Sequence, residues 1–78
     1  LRQMMRVSVE DKVFALVAGY GGIPVECISG DTVVNMRLQV QLVSDLGMFY
    51  ETTVVNLRVG ETVSLEDFIE SMARQIEK

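Results

Sequence analysis

The chain has 78 residues, which is enough for one small domain (residues 1–78) and too few for two. Hydrophobic residues make up 49% of it and charged residues 23%, as in ordinary globular proteins, so disorder is not expected. The net charge of −4 disfavours nucleic-acid binding, because basic residues supply most of that affinity. The sequence has no histidine, which excludes histidine bases and histidine metal ligands, and its one cysteine excludes an internal disulfide.

Three features of the sequence bear on processing and compartment. It contains no run of about 18 consecutive apolar residues, so no membrane-spanning helix is expected. A single unpaired Cys27 suits a reducing cytoplasm, which is the expected location. The sequence begins with Leu1, so translation is expected to start at a residue before it or at Met4 or Met5.

The first predicted helix covers residues 9–19. Ser8 is a suitable N-cap, and one helical face carries apolar side chains at Val9, Val13, Leu16, Val17 and Tyr20. Glycines at 19, 21 and 22 are expected to end the helix, since glycine adopts the left-handed conformation without steric cost. A buried strand is the alternative, because residues 13–17 are apolar and partly β-branched, and residues 3–7 are a candidate short strand before it.

The middle of the chain predicts three antiparallel strands. Apolar and polar residues alternate from Val34 to Leu42, which is typical of a half-buried strand over residues 32–43. Gly30-Asp31 predicts a type II′ turn from a preceding strand at residues 23–29, and a third strand is expected at residues 48–59. In this register Val34, Met36 and Leu38 face the core.

The last segment predicts a second helix. Ser64 is the expected N-cap, Val63 and Phe68 form a hydrophobic staple, and an apolar stripe runs through Leu65, Phe68, Ile69, Met72 and Ile76. The predicted fold is a two-layer α+β domain of order (β)αβββα. It has a three-stranded antiparallel meander with two helices on one face.

Two short features bear on chemistry. Glycines 19, 21 and 22 do not fit a phosphate-binding loop, because they follow a helix rather than a strand and no phosphate-binding lysine comes after them. They are interpreted as a helix stop, with a flexible lip of a binding site as the alternative. Cys27 falls in the apolar register of a predicted strand in a chain without histidine, so core packing is expected rather than nucleophilic catalysis.

Four acidic residues form a candidate cation site: Asp31, Glu61, Glu66 and Asp67. The predicted register brings them to one end of the sheet, and clustered carboxylates suit Ca²⁺, although no EF-hand pattern is present. The alternative is ordinary helix electrostatics. Acidic residues stabilise a helix N-terminus, and Glu70 precedes Arg74 by four positions in the favourable order for an ion pair.

The uncovered face of the predicted sheet offers a candidate interface. Val43, Met48 and Tyr50 cluster near one end of that face, and contiguous exposed apolar residues often mark a contact with a partner. A protein partner or a second copy of the chain is therefore expected there.

Two resemblances complete the sequence reading. The αβββα order over residues 9–77 resembles the double-stranded RNA-binding domain, which implies RNA binding through a basic start of the last helix. Residues 64–70 carry carboxylates there instead, at Glu66, Asp67 and Glu70. The short length and the helix start over residues 63–69 resemble short conserved archaeal proteins without an assigned activity, which implies a non-enzymatic domain with a surface cation site.

Three hypotheses about function follow. The first is a non-enzymatic protein-interaction or structural module, the second is a domain that binds Ca²⁺ or a similar cation weakly, and the third is an RNA-binding module. An enzyme is not expected, because the sequence offers no combination of base, nucleophile and orienting group.

Overall fold

The computed structural model of the chain describes residues 2–56 and 61–77. These ranges contain a mostly helical fold with one small antiparallel sheet. In chain order, the elements are α1 (Arg2–Gly21), a 3-10 turn (Val25–Cys27), β1 (Val33–Val34), α2 (Met36–Phe49), β2 (Val63–Ser64) and α3 (Leu65–Ile76). The prediction of an α+β domain with a three-stranded meander is therefore wrong.

The first helix is confirmed, and α1 is longer than predicted. It covers Arg2–Gly21, so the short strand predicted at residues 3–7 and the alternative strand at residues 13–17 are both wrong. Val9, Val13 and Val17 are buried, as their helical spacing requires. Of the glycines expected to end the helix, Gly22 does so with φ +64°, whereas Gly19 and Gly21 are still within α1.

The strand predicted at residues 32–43 is wrong, because most of this segment belongs to α2. Asn35 caps the helix, its side-chain oxygen accepting a 2.9 Å hydrogen bond from the Leu38 amide. Leu42 and Leu46 are fully buried, whereas Met36, expected in the core, is 46% exposed. Leucines at every fourth position fit a helical face as well as alternation fits a strand, and the burial of Leu42 and Leu46 in a core shared with residues of α1 and α3 selects the helix.

Gly30 and Asp31 lie at the centre of a turn, but not of a hairpin. The Thr32 amide donates to the Ser29 carbonyl at 3.1 Å, which closes the turn. Gly22 is the glycine with positive φ in the described ranges, so Gly30 does not form the predicted type II′ turn. The strand predicted at residues 23–29 is replaced by the 3-10 turn at Val25–Cys27.

The actual sheet joins distant parts of the chain. Strand β1 pairs antiparallel with β2, with Val33 opposite Ser64 and Val34 opposite Val63. The third predicted strand, residues 48–59, is wrong where the structure describes it. Met48 and Phe49 end α2, and residues 50–56 form turns and irregular backbone. Residues 57–60 lie outside the described residues.

Helix α3 is confirmed with its cap and its apolar stripe. The Ser64 hydroxyl accepts a 3.2 Å hydrogen bond from the Asp67 amide. Val63 and Phe68, the expected staple pair, are both buried in one core cluster. The core cluster of the described residues takes members from all three helices and both strands: Val9, Val13, Val17, Ile28, Val34, Leu42, Leu46, Val54, Val63, Leu65, Phe68, Ile69, Met72 and Ala73.

Candidate functional site

The start of α3 lies beside the Gly30-Asp31 turn, as the cation-site hypothesis expected. The Glu66 amide donates to the Gly30 carbonyl at 2.9 Å, and the Leu65 amide donates to the Thr32 carbonyl at 2.7 Å. Asp31, Glu66 and Asp67 are therefore on neighbouring segments. All three carboxylates are exposed to solvent.

The surroundings of these carboxylates in the described part of the chain are as follows. Within residues 2–56 and 61–77, no three side chains of the His, Cys, Asp or Glu type stand close enough together to hold an ion. Glu61 is exposed before β2, and its main-chain carbonyl accepts a hydrogen bond from a buried glutamine. The alternative of helix electrostatics has direct support, since Glu66 and Asp67 occupy the first turn of α3 and Glu70 pairs with Arg74 at 3.3 Å. Weak calcium binding stays a prediction.

The three residues of the candidate interface, Val43, Met48 and Tyr50, differ in their exposure to solvent. Met48 is strongly exposed, whereas Val43 and Tyr50 are half-buried and pack against the core. The Tyr50 hydroxyl is hydrogen-bonded to the Ser8 hydroxyl at 3.0 Å, which ties the end of α2 to α1. Of the three residues, Met48 is the one most available to a partner.

A residue that the sequence analysis missed, Phe49, lies beside Met48. The Phe49 ring is 56% exposed. The Lys12 ammonium lies 4.2 Å from its centroid, and the Tyr50 ring meets it edge-on at 4.9 Å. Together with α1 it lines a shallow surface depression, the Phe49 groove, formed by Val7, Ser8, Asp11, Lys12, Ala15 and Phe49.

A second depression lies between the end of α1 and the start of α2. We call it the Arg37 groove; its volume is about 410 Å³, and its main lining residues are Val17, Tyr20, Ile23, Arg37, Leu38 and Gln41. The sequence analysis missed this groove, because its two walls belong to a helix end and to a helix that was predicted as a strand.

A polar network borders the Arg37 groove. Tyr20 donates a short hydrogen bond to one oxygen of the Asp45 carboxylate, and Gln41 donates to the other at 3.1 Å. The hydrogen bond to Asp45, with smaller contributions from desolvation and from the negative charge of Asp45, raises the pKa of Tyr20 above its ordinary value of 10.0. Tyr20 is therefore a neutral hydrogen-bond donor at physiological pH.

Cys27 is not in the core. Its side chain is exposed at the 3-10 turn, so the prediction that it packs inside is wrong. The strand register that placed it inside does not exist. An exposed thiol in a chain without histidine lacks the imidazole base that activates many catalytic cysteines.

Comparisons of the chain with protein-family models, with curated proteins and with solved structures find no match in any of the three. The element order behind the resemblance to the double-stranded RNA-binding domain is not the observed one. Among the described helices, none combines the length and the apolar character needed to cross a membrane.

Proposed function

We propose that this chain is a non-enzymatic protein-interaction module that binds through the Phe49 groove and the adjacent Met48. The observation that carries the proposal is the exposure of two large apolar side chains that line the groove, Val7 at 50% and Phe49 at 56%, together with Met48, which precedes Phe49 in the chain and is 77% exposed. Contiguous exposed apolar surface is a common mark of a contact site. Aromatic residues are enriched among those that contribute most to binding.

The contacts of Phe49 favour this function further. Lys12 and Tyr50 hold its ring at the surface, so little side-chain freedom remains to be lost when a partner covers it. Lys12 and Asp11 supply charges of both signs at the groove. A polar rim around an apolar centre is the usual composition of a protein interface.

A non-enzymatic role is part of the proposal. The sequence has no histidine, and its one cysteine is exposed at a turn remote in sequence from the Phe49 groove. The exposed thiol also suits a reducing cytoplasm, which we propose as the compartment.

The experiment compares the mass of the chain in solution at rising protein concentration by sedimentation. If a second copy is the partner, the mass of the wild-type chain rises with concentration, and Val7→Glu, a change within the groove, stays monomeric because a buried, unpaired carboxylate is costly at an interface. Val25→Glu is the matched control, since Val25 is an exposed apolar residue outside the groove. A wild-type chain that stays monomeric throughout would eliminate self-association, and the groove would then require a different protein.

A further inference from the structure

The Arg37 groove has the size and lining of a small-molecule site. Its volume of about 410 Å³ lies within the range of about 300–1,000 Å³ in which ligand pockets occur. Val17, Leu38 and Ile23 supply aliphatic walls, and the Tyr20 side chain closes one side. A ligand placed there would remove apolar surface from water on several sides.

Arg37 is the charged residue that lines this groove. In the described part of the chain it has neither an ion pair nor a hydrogen bond from its side chain, whereas Arg6, Lys12 and Arg74 are each engaged. Arg6 and Arg74 both pair with Glu70, and Lys12 lies over the Phe49 ring. A guanidinium without a protein anion is free to bind a carboxylate or sulfonate through two parallel hydrogen bonds.

Asp45, the acid in the network that borders the groove, forms no ion pair with Arg37 in the described part of the chain. Asp45 accepts hydrogen bonds from Tyr20 and from Gln41, so both of its oxygens already have donors. The groove is therefore lined by apolar walls and by one charged side chain, which is positive, although the net charge of the chain is −4. This combination favours an anionic ligand over a cationic one.

We propose that the Arg37 groove binds a small molecule with a compact apolar body and a single anionic group. The body lies among Val17, Ile23 and Leu38, and the anion pairs with the Arg37 guanidinium. This site is independent of the proposed protein interface, because the Arg37 groove and the Phe49 groove share no lining residue.

The test uses two fluorescent probes. Anilinonaphthalene sulfonate has an apolar aromatic body and one sulfonate, whereas Nile red is apolar and neutral. Each is titrated into the folded chain and into Arg37→Gln, Arg74→Gln, Ile23→Ser and Phe49→Ser variants. Circular dichroism confirms that every variant keeps the helical fold, since the sulfonate probe also binds partly folded states.

Loss of the charge-assisted contact in Arg37→Gln is expected to weaken the sulfonate probe about tenfold and to leave Nile red unchanged. Arg74→Gln makes the same change of charge at a 76% exposed site outside the groove, so it is expected to bind both probes like the wild type. Ile23→Ser is expected to weaken both probes, because it removes an apolar wall.

Three results would overturn the proposal. Equal effects of Arg37→Gln and Arg74→Gln would show that the anion is attracted by overall charge alone. Undiminished binding of both probes to Ile23→Ser would show that the groove is not the site. Loss of binding in Phe49→Ser would place the probes in the other groove, and this result would leave the proposed protein interface intact.

Discussion

The side-chain amide of Gln75 makes a two-way hydrogen-bonded pair with the main chain of Val55. Its Oε1 accepts from the Val55 amide and its Nε2 donates to the Val55 carbonyl, both at 2.8 Å. The pair copies the bonding of two antiparallel strand residues, with a side chain in place of one strand. It fastens the irregular segment after α2 to the last turns of α3.

Replacement of Gln75 by Leu should therefore lower the free energy of unfolding by about 1–2 kcal/mol, the net value of two such hydrogen bonds. Urea unfolding measures the change. Gln41→Leu is the matched control, because Gln41 is exposed and bonds to a side chain within its own helix, so a change within about 0.5 kcal/mol is expected. Equal losses in the two variants would contradict a special role for the Gln75–Val55 pair.

The side chain of Gln39, inside the core, also bonds to the irregular segment after α2, at Asn56. It is fully buried, and its Nε2 donates to the carbonyls of Val34, at 3.0 Å, and Glu61, at 2.5 Å. Its Oε1 accepts from the Asn56 amide at 2.8 Å. These three hydrogen bonds, one buried and two partly buried, offset the cost of burying the amide and join β1, α2 and the segment before β2.

Gln39→Leu should lower the free energy of unfolding by about 2–4 kcal/mol, more than Gln75→Leu, because two main-chain carbonyls and an amide lose a partner at buried or partly buried positions. Hydrogen exchange should show faster exchange near Asn56 and Glu61 than elsewhere. Unchanged stability in Gln39→Leu would mean that water replaces the lost partners, and the network would then have no structural role.

The Tyr20–Asp45 hydrogen bond predicts a pH dependence. Because the pKa of Tyr20 is raised, chiefly by the hydrogen bond to Asp45, its stabilising contribution is fully present below the unfolded pKa of 10.0 and is lost as pH rises through the higher folded value. Ultraviolet absorbance titration in a Tyr50→Phe background reports Tyr20 alone, since the chain has two tyrosines. Asp45→Asn should move the pKa of Tyr20 back towards its ordinary value, whereas an unchanged titration would exclude Asp45 as the cause.

The elements that the sequence predicted correctly depend on local signals. Helix α3 has its cap at Ser64 and its apolar stripe within one segment, and α1 has its valine spacing and its glycine stop. Helix α2 was not predicted because its apolar residues also alternate with polar ones, as in a strand. What identifies the helix is a tertiary contact: Gln39, a polar residue that the alternation would leave exposed, is buried and hydrogen-bonded in the fold.

The sheet and the two grooves could not be predicted for a related reason. Strand β1 finds its partner β2 about thirty residues further along the chain, and nothing in two-residue strands marks that pairing. Both grooves are lined by residues of α1 and α2. Because the α2 segment was predicted to be a strand, neither groove could be predicted. The predicted cation site kept part of its geometry, because the turn at residues 30–31 and the cap of α3 are local features.

Two helical glycines give opposite predictions from the same substitution. Alanine in a helix interior is favoured over glycine by about 1 kcal/mol. At Gly19 an added Cβ meets no atom within 4 Å, so Gly19→Ala should stabilise the chain, by less than the full value because α1 ends two residues later at Gly21.

At Gly47 the added Cβ would lie 3.1 Å from the Thr52 carbonyl oxygen, closer than is usual for such a contact. The Thr52 amide donates to the Gly47 carbonyl at 3.0 Å, so the two backbones are tied and cannot easily separate. The steric cost should cancel or exceed the helix-propensity gain of about 1 kcal/mol, and Gly47→Ala should be neutral or destabilising. Thermal unfolding of the two variants tests this prediction. An equal rise in Tm for both would show that the segment after α2 moves away from the added Cβ at no cost, and that the short Gly47–Thr52 distance does not constrain it.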